Sequence, residues 1–280
     1  MQYELPNGYL SASALNCLLT CPRQYEFRYI YRLPTPPTVS MLTGTALHRT
    51  FEEYYRTAMT SAQRYSVSQA KELAVTAFED VTTSEECYLT AEERSSAVSI
   101  VQDLTATYIE AIAKDIVPLA MEEQCVSTAR CGVPLLAYID LRRQYPDGTE
   151  GIADYKITAR KWTPDKLVNS LQFNLYSMMT GIGDIEIHNL VKASPAKRTV
   201  TAKQTDDTID IAPNLRLLRH YFDGSQAEHL ETLIESAARL ITSGIFMPCS
   251  LDAWCCNATW CGYWNICRGK AQAKTFDLAA

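Results

Sequence analysis

The chain has 280 residues, 47% of them hydrophobic and 21% charged, ordinary proportions for a globular protein with one large core or two small ones. No apolar run nears the roughly 18–20 residues of a membrane-spanning helix. The net charge of −6 argues at first against a nucleic-acid partner, whose binding rests largely on neutralising phosphates.

In chain order, the first six residues lack a basic region followed by an apolar one, so a cytoplasmic location, in a bacterial or phage-infected cell, is expected. Ten cysteines in a reducing compartment point to metal ligation more than disulfides. Residues 9–33 read as two short helices, with Ser11 or Ser13 as a cap and Pro22 in the first turn of the second. A rigid linker, residues 34–37, precedes a helix that follows Gly44 and runs to about Met59. Helical periodicity continues through Ala70, Leu73, Ala77 and Phe78, then Val98, Val101, Leu104 and Tyr108, so residues 62–120 read as a helical insertion.

The pattern changes near Gln124. Short β-rich runs are separated by Cys131-Gly132 and Pro146-Asp147-Gly148, the turn chemistry of hairpins. Thr163-Pro164-Asp165 opens a helix reaching about Thr180. Residues 185–191 and 198–201 return to strand, 213–243 read as helix, and the tail after Phe246 is irregular. The whole chain, 1–280, is expected to form one domain.

Charge is unevenly spread. Between Arg142 and Lys203, ten Lys or Arg stand against six Asp or Glu, a local +4 that leaves −10 for the rest. A basic centre within an acidic exterior suits a groove that admits DNA. Arg142, Arg143, Lys192, Lys197 and Arg198 are the candidate contacts to its backbone.

Two constellations carry chemistry. On a strand, residues i and i+2 share a face, so Asp154 and Lys156 project together, and Asp140 ends the preceding strand of the same hairpin. Two carboxylates suit Mg²⁺ or Mn²⁺, and a lysine on the same face can orient water or stabilise a transition state. A salt-bridged Asp–Lys pair on a surface hairpin is the plainer reading. His48 can complete such a site as a neutral imidazole. Gln172 and Tyr176, four apart, share a helix face. Separately, Cys21 is matched by Cys256, Cys261 and Cys267, the four thiolates that tetrahedral zinc or a [4Fe–4S] cluster requires. The other cysteines (17, 87, 125, 131, 249 and 255) read as core or surface thiols, with Cys249 and Cys255 as competing ligands that spacing alone does not exclude.

Six features fall in one order: Ser11-x-Ser13-x-Leu15 before Cys21-Pro-x-x-Tyr25; Gly44-Thr-Ala-Leu-His48; Gly132-Val-Pro with Tyr138-Ile-Asp140; Asp154-Tyr-Lys156; Gln172-x3-Tyr176; and Cys256-x4-Cys261-x5-Cys267. Together they resemble the PD-(D/E)xK nuclease superfamily, in particular its RecB-like branch with an iron–sulfur cluster. Residues 11–267 are covered. The resemblance implies an α/β, restriction-endonuclease-like core, a central mixed sheet flanked by helices, with a helical insertion and Fe–S-stapled termini.

It also implies roles. His48, Asp140 and Asp154, with the Tyr155 carbonyl, would hold Mg²⁺ or Mn²⁺. Lys156 would be the catalytic lysine, and Gln172 and Tyr176 would position DNA or water. The spacing of the cysteines, Trp260, Tyr263 and Trp264 around them, and the resemblance together favour [4Fe–4S] over zinc.

The expected activity is a DNA exonuclease acting on single strands or duplex ends, in recombination, repair or phage DNA processing. Homo-oligomers and recombination or CRISPR proteins are the candidate partners. The alternatives are a CRISPR-adaptation nuclease trimming spacers, and a non-catalytic Fe–S or zinc nucleic-acid-binding module. Two features depart from the pattern: Ile139 stands where the signature has proline, and Asp154 where this branch often has Glu.

Overall fold

Six strands, β1 (Val117–Thr128), β2 (Pro134–Gln144), β3 (Glu150–Thr158), β4 (Asp184–Val191), β5 (Thr208–Ala212) and β6 (Leu215–Tyr221), form one mixed sheet. Its order is β1-β2-β3-β4-β6-β5. The coordinates are a computed structural model that describes residues 4–61, 63–85, 87–192 and 207–268. The chain divides into two compact units: Met1–Pro36, Thr128–Leu135 and Glu231–Ala280 form one, Pro37–Ser127 and Leu136–Leu230 the other.

In the larger unit, β2 and β3 form an antiparallel hairpin with Leu141 opposite Ala153. Its tight turn needs the left-handed φ of +87° at Gly148, which glycine adopts without strain. β3 and β4 run parallel, with Asp154 beside Ile187 and Lys156 beside Asn189. A parallel pair requires a crossover, supplied by α6 (Pro164–Val168) and α7 (Leu171–Thr180). Thr163 caps α6 and Pro164 sits in its first turn, as the sequence predicts. The single helix expected to Thr180 is two, broken at residues 169–170.

From Ile185 to Val191 every residue of β4 is buried, the burial expected of a strand inside a parallel pair. Asn189 pays no desolvation penalty there because its amide is fully used. It accepts from the Trp162 N–H at 2.8 Å and donates to the Lys156 carbonyl and the Thr158 hydroxyl, both at 2.8 Å. That side chain ties the start of the crossover to the strand carrying Lys156.

Helices cover both faces. α3 (Val39–Ser61), α4 (Val67–Ser84) and α5 (Ala91–Ala111) contribute Leu47, Phe51, Phe78 and Tyr108 to a core shared with Leu141, Ala153 and Tyr155. α6 and α7 pack Leu167, Phe173 and Tyr176 against Ile139, Ile152, Ile185 and Leu218. The predicted insertion is thus α4 and α5, each begun by a capping box, Ser66 with Gln69 and Thr90 with Glu93. Among the described residues no helix is long and apolar enough to cross a membrane.

Two expectations fail: the helical insertion read as 62–120 stops short, because β1 begins at Val117, and the long helix near the end is interrupted. Residues 213–243 are not a continuous helix; β6 occupies Leu215–Tyr221, and α8 begins at Ala227 (Ala227–Ser243). Leu215-Arg-Leu-Leu-Arg-His-Tyr fits either period, and pairing with β4 on one side and β5 on the other decides for strand. The strand predicted at 198–201 lies outside the described residues.

The smaller unit contains α1 (Ala12–Thr20), α2 (Pro22–Tyr25) continued by a π-helical turn (Glu26–Ile30), and α9 (Trp264–Cys267). Its two ends of sequence are joined by hydrogen bonds: Arg23 N–H donates to the Met247 carbonyl at 3.2 Å, and the Tyr263 hydroxyl to the Leu33 carbonyl at 2.9 Å.

Beneath the sheet of the larger unit runs a buried polar chain. The Tyr55 and Tyr108 hydroxyls meet at 2.9 Å, Tyr108 meets His188 Nδ1 at 2.9 Å, and His188 Nε2 meets Glu186. Arg143 Nη1 closes it, donating to Glu186 at 2.8 Å. Burial pushes the Glu186 pKa up, but His188 and Arg143 outweigh it and bring it to about 2, below its ordinary 4.5. Pairing therefore contributes stability present in full above pH 4.5 and lost as pH falls toward 2. Glu186→Gln is expected to lower unfolding stability in urea by about 3–5 kcal/mol at pH 7, the cost of stranding a buried partner charge. The gap to the parent should narrow steadily below pH 4.5; a gap that stays constant down to acid would show that Glu186 does not act through its charge.

Candidate active site

Strand alternation lapses at Ile139, Asp140 and Leu141, all three buried, and the regular register with β3 stops at Leu141. Asp140 therefore sits where the ladder is broken. The Tyr155 N–H donates to Asp140 Oδ2 at 2.9 Å. On α3, His48 Nδ1 lies 3.4 Å from the same oxygen, and its ring meets Tyr155 edge-on at 5.6 Å. The Asp140 carboxyl is held below the usual range: burial raises it, but His48, Lys156 and the Tyr155 N–H outweigh burial. Burial works against a charged His48, yet Asp140 and Asp154 leave its pKa above the ordinary value.

Asp154 is 1% exposed, and burial, reinforced by Asp140 and opposed by Lys156, pushes its pKa up to about 6. Its Oδ2 lies 2.6 Å from Lys156 Nζ, at an angle that leaves this oxygen without a well-formed hydrogen bond. Lys156 also donates to Gln172 Oε1 at 3.0 Å. The Gln172 amide nitrogen donates to Asp154 Oδ1 at 3.0 Å and to the Tyr176 hydroxyl at 2.7 Å. The Tyr176 hydroxyl donates in turn to the Tyr138 carbonyl at 2.9 Å. Lys156 can only donate and the Tyr138 carbonyl can only accept, so the chain between them runs in one direction, with the two hydrogens of the Gln172 amide going to separate acceptors. Below Nζ lie the Phe173 ring at 5.3 Å and the Trp162 ring at 6.0 Å.

The structure thus gathers His48, Asp140, Asp154, Lys156, Gln172 and Tyr176 in the larger unit. It adds a residue the motif reading missed. Glu122, on β1, offers a carboxylate oxygen that lies with His48 and Asp140 in one group whose ligand atoms are all within 4.8 Å. Burial, then the nearby Asp140, pushes its pKa up to about 7. Its backbone φ of +47° is rare for a residue with a side chain, and no short motif announces it.

The predicted DNA contacts are placed differently. Arg143, half-buried, pairs with the buried Glu186 at 2.8 Å, and its guanidinium stacks 4.5 Å from the Tyr145 ring. Arg142 pairs with Glu123 at 2.9 Å and Glu150 at 3.5 Å. Lys192 donates to the Ser40 carbonyl at 2.9 Å. Lys197 and Arg198 lie outside the described residues.

In the smaller unit, Cys21, Cys256, Cys261 and Cys267 line one cavity, and Cys249 and Cys255 line it with them. The Cys249 N–H donates to Cys21 Sγ at 3.4 Å, and the Cys249 and Cys255 sulfurs are 3.7 Å apart. These last two are therefore neighbours of the four, not remote thiols.

Comparison with solved structures finds one titled "Crystal structure of SSO0001", 11% identical, covering 94% of this chain and 87% of that one at a TM-score of 0.43. No curated protein matches the chain. A model of one family, the PD-(D/E)XK nuclease superfamily, matches residues 9–268. With the mixed six-stranded sheet flanked by helices and a group of side chains able to hold a cation, that match over most of the sequence means that the chain belongs to the PD-(D/E)XK nuclease superfamily.

Proposed function

We propose that the chain is a divalent-metal-dependent DNA nuclease of the RecB-like branch, working as an exonuclease on single strands or duplex ends. The observation that carries this reading is Lys156 Nζ, held between Asp154 at 2.6 Å and Gln172 at 3.0 Å. A structural Asp–Lys pair needs no third residue; here a glutamine, a tyrosine and a backbone carbonyl fix the ammonium in one place.

The residues present fit a hard divalent cation. Asp140 and Asp154 are buried carboxylates, one Asp154 oxygen lacks a hydrogen bond, and His48 adds a nitrogen. Asp140 and Asp154 would hold the ion with His48, and the Tyr155 carbonyl is a further candidate. When bound, the ion supplies Lewis acidity that neutralises charge developing on a phosphate and acidifies water. The protein's part is orientation. Lys156 presents a positive charge and a donor to a phosphate entering beside the carboxylates. Gln172 and Tyr176 keep that donor from swinging into solvent, and Phe173 and Trp162 form an apolar floor that strengthens its field.

The cysteine cavity supports a second cofactor. Four thiols converging with Trp264 on one cavity, together with the widely spaced cysteines of the RecB-like branch, support a [4Fe–4S] cluster held by Cys21, Cys256, Cys261 and Cys267. It would be structural, joining segments more than two hundred residues apart in sequence.

Anaerobically purified protein incubated with Mn²⁺ and end-labelled single- or double-stranded DNA should shorten the label progressively. Lys156→Ala should reduce the rate about 10²–10³-fold, the loss typical of removing one oriented donor to developing charge. An inert parent, or a variant as fast as the parent, defeats the nuclease reading. For the cluster, Cys21→Ser and Cys261→Ser should each lose bound iron and melt at lower temperature. Unchanged iron content and melting temperature, or stoichiometric zinc in the parent protein, would sink the cluster assignment.

A further inference from the structure

We propose that Glu122, contributed by β1, is a direct ligand of the divalent cation, completing a site with His48 and Asp140. This rests on the nuclease reading above and names a ligand that the motif does not contain.

The geometry comes first. His48, Glu122 and Asp140 present one nitrogen and two oxygens, all within 4.8 Å of one another. Asp154 is outside this group because its carboxylate faces Lys156 and the Gln172 amide. A cation seated between α3 and the strands of the larger unit thus meets Glu122 as readily as the motif's second acid.

The surroundings of Glu122 point the same way. Among the described residues its carboxylate makes no hydrogen bond and no ion pair, while its neighbour Glu123 pairs with Arg142 at 2.9 Å. The nearby charges are mostly of its own sign: Asp140, Glu52 and Asp154, with His48 opposing. Asp140 is 8% exposed and Asp154 1% exposed, and Lys156 lies against Asp154, 2.6 Å from its Oδ2. Glu122 and Asp140 share the nearby imidazole of His48, and carboxylates gathered this closely favour a further positive charge between them. The backbone at residue 122 is left-handed, with φ +47°, and such strained residues cluster at functional sites.

The ligand chemistry is one imidazole nitrogen and two carboxylate oxygens, a donor set that takes Mn²⁺ readily and Mg²⁺ with retained waters. The test measures Mn²⁺ binding to the intact protein by the electron paramagnetic resonance signal of the free ion, with no DNA present. Glu122→Gln should weaken binding at least tenfold, as should Asp140→Asn, while Glu79→Gln on α4 should leave it unchanged. If Asp140→Asn loses the ion and Glu122→Gln binds as the parent does, the proposal is overturned and the metal site stands. If the parent protein binds no Mn²⁺, both fall. A second measurement does not depend on how the variant folds. Iron(II) with ascorbate and peroxide, applied to the parent protein, cuts backbone beside the bound metal. Fragments ending at residues 121–123 should accompany those at 47–49 and 139–141; cuts at the latter two alone overturn the proposal.

Discussion

Two carboxylates, Asp140 and Asp154, are removed from water side by side, the first 8% and the second 1% exposed. Like charges in a low-dielectric setting repel strongly, and the surrounding structure reads as the answer to that repulsion. Asp140 is kept ionised by an imidazole, a backbone N–H and a nearby ammonium. Asp154 carries the unrelieved share, and its pKa rises to about 6. Remove the pocket's need for positive charge and there is no reason for His48 on α3, Lys156 on β3 and Gln172 on α7 to converge from three elements.

The topology makes that convergence possible. Because β3 and β4 are parallel, the chain must leave the sheet after Thr158 and return before Asp184. The crossover that does so carries Gln172 and Tyr176 on one face of α7, over the strand that bears Lys156. Asn189 pins its beginning to the Lys156 carbonyl, so one polar side chain inside an otherwise apolar strand fixes the floor and the wall of the pocket together. The helices of the opposite face hold His48 through Leu47 and Phe51, both fully buried.

Much of this was legible in the residues. The i,i+2 rule placed Asp154 and Lys156 together, the four-residue spacing paired Gln172 with Tyr176, and Thr163-Pro164 gave the start of the crossover. Other parts had no local signal. Glu122 lies in Glu122-Glu123, where nothing in the sequence says which acid turns inward; a left-handed residue decides it. Arg143 looked like a surface cation because Glu186, its buried partner, is 43 residues away. Leu215–Tyr221 satisfied two periods, and only pairing on both edges made it a strand. Spacing could not separate Cys249 and Cys255 from the other four, and the fold places all six on one cavity.

The division of the chain has a consequence for the order in which it can be built. Every residue of the unit bearing the carboxylates precedes residue 231, whereas the cysteine unit combines Met1–Pro36 with Glu231–Ala280. Synthesis proceeds at roughly 5–20 residues per second, and domains fold as their sequence emerges. The pocket therefore has all its parts while the first 36 residues still lack theirs. Until those emerge, Leu15, Leu18, Tyr25 and Phe27, which end up buried, have only residues 128–135 of the rest of their unit beside them, and Cys21 lacks the cavity-lining cysteines of the far end. Residues 1–36 thus depend for their burial on residues from the far end of their own unit, whereas the carboxylate pocket depends on nothing beyond residue 230.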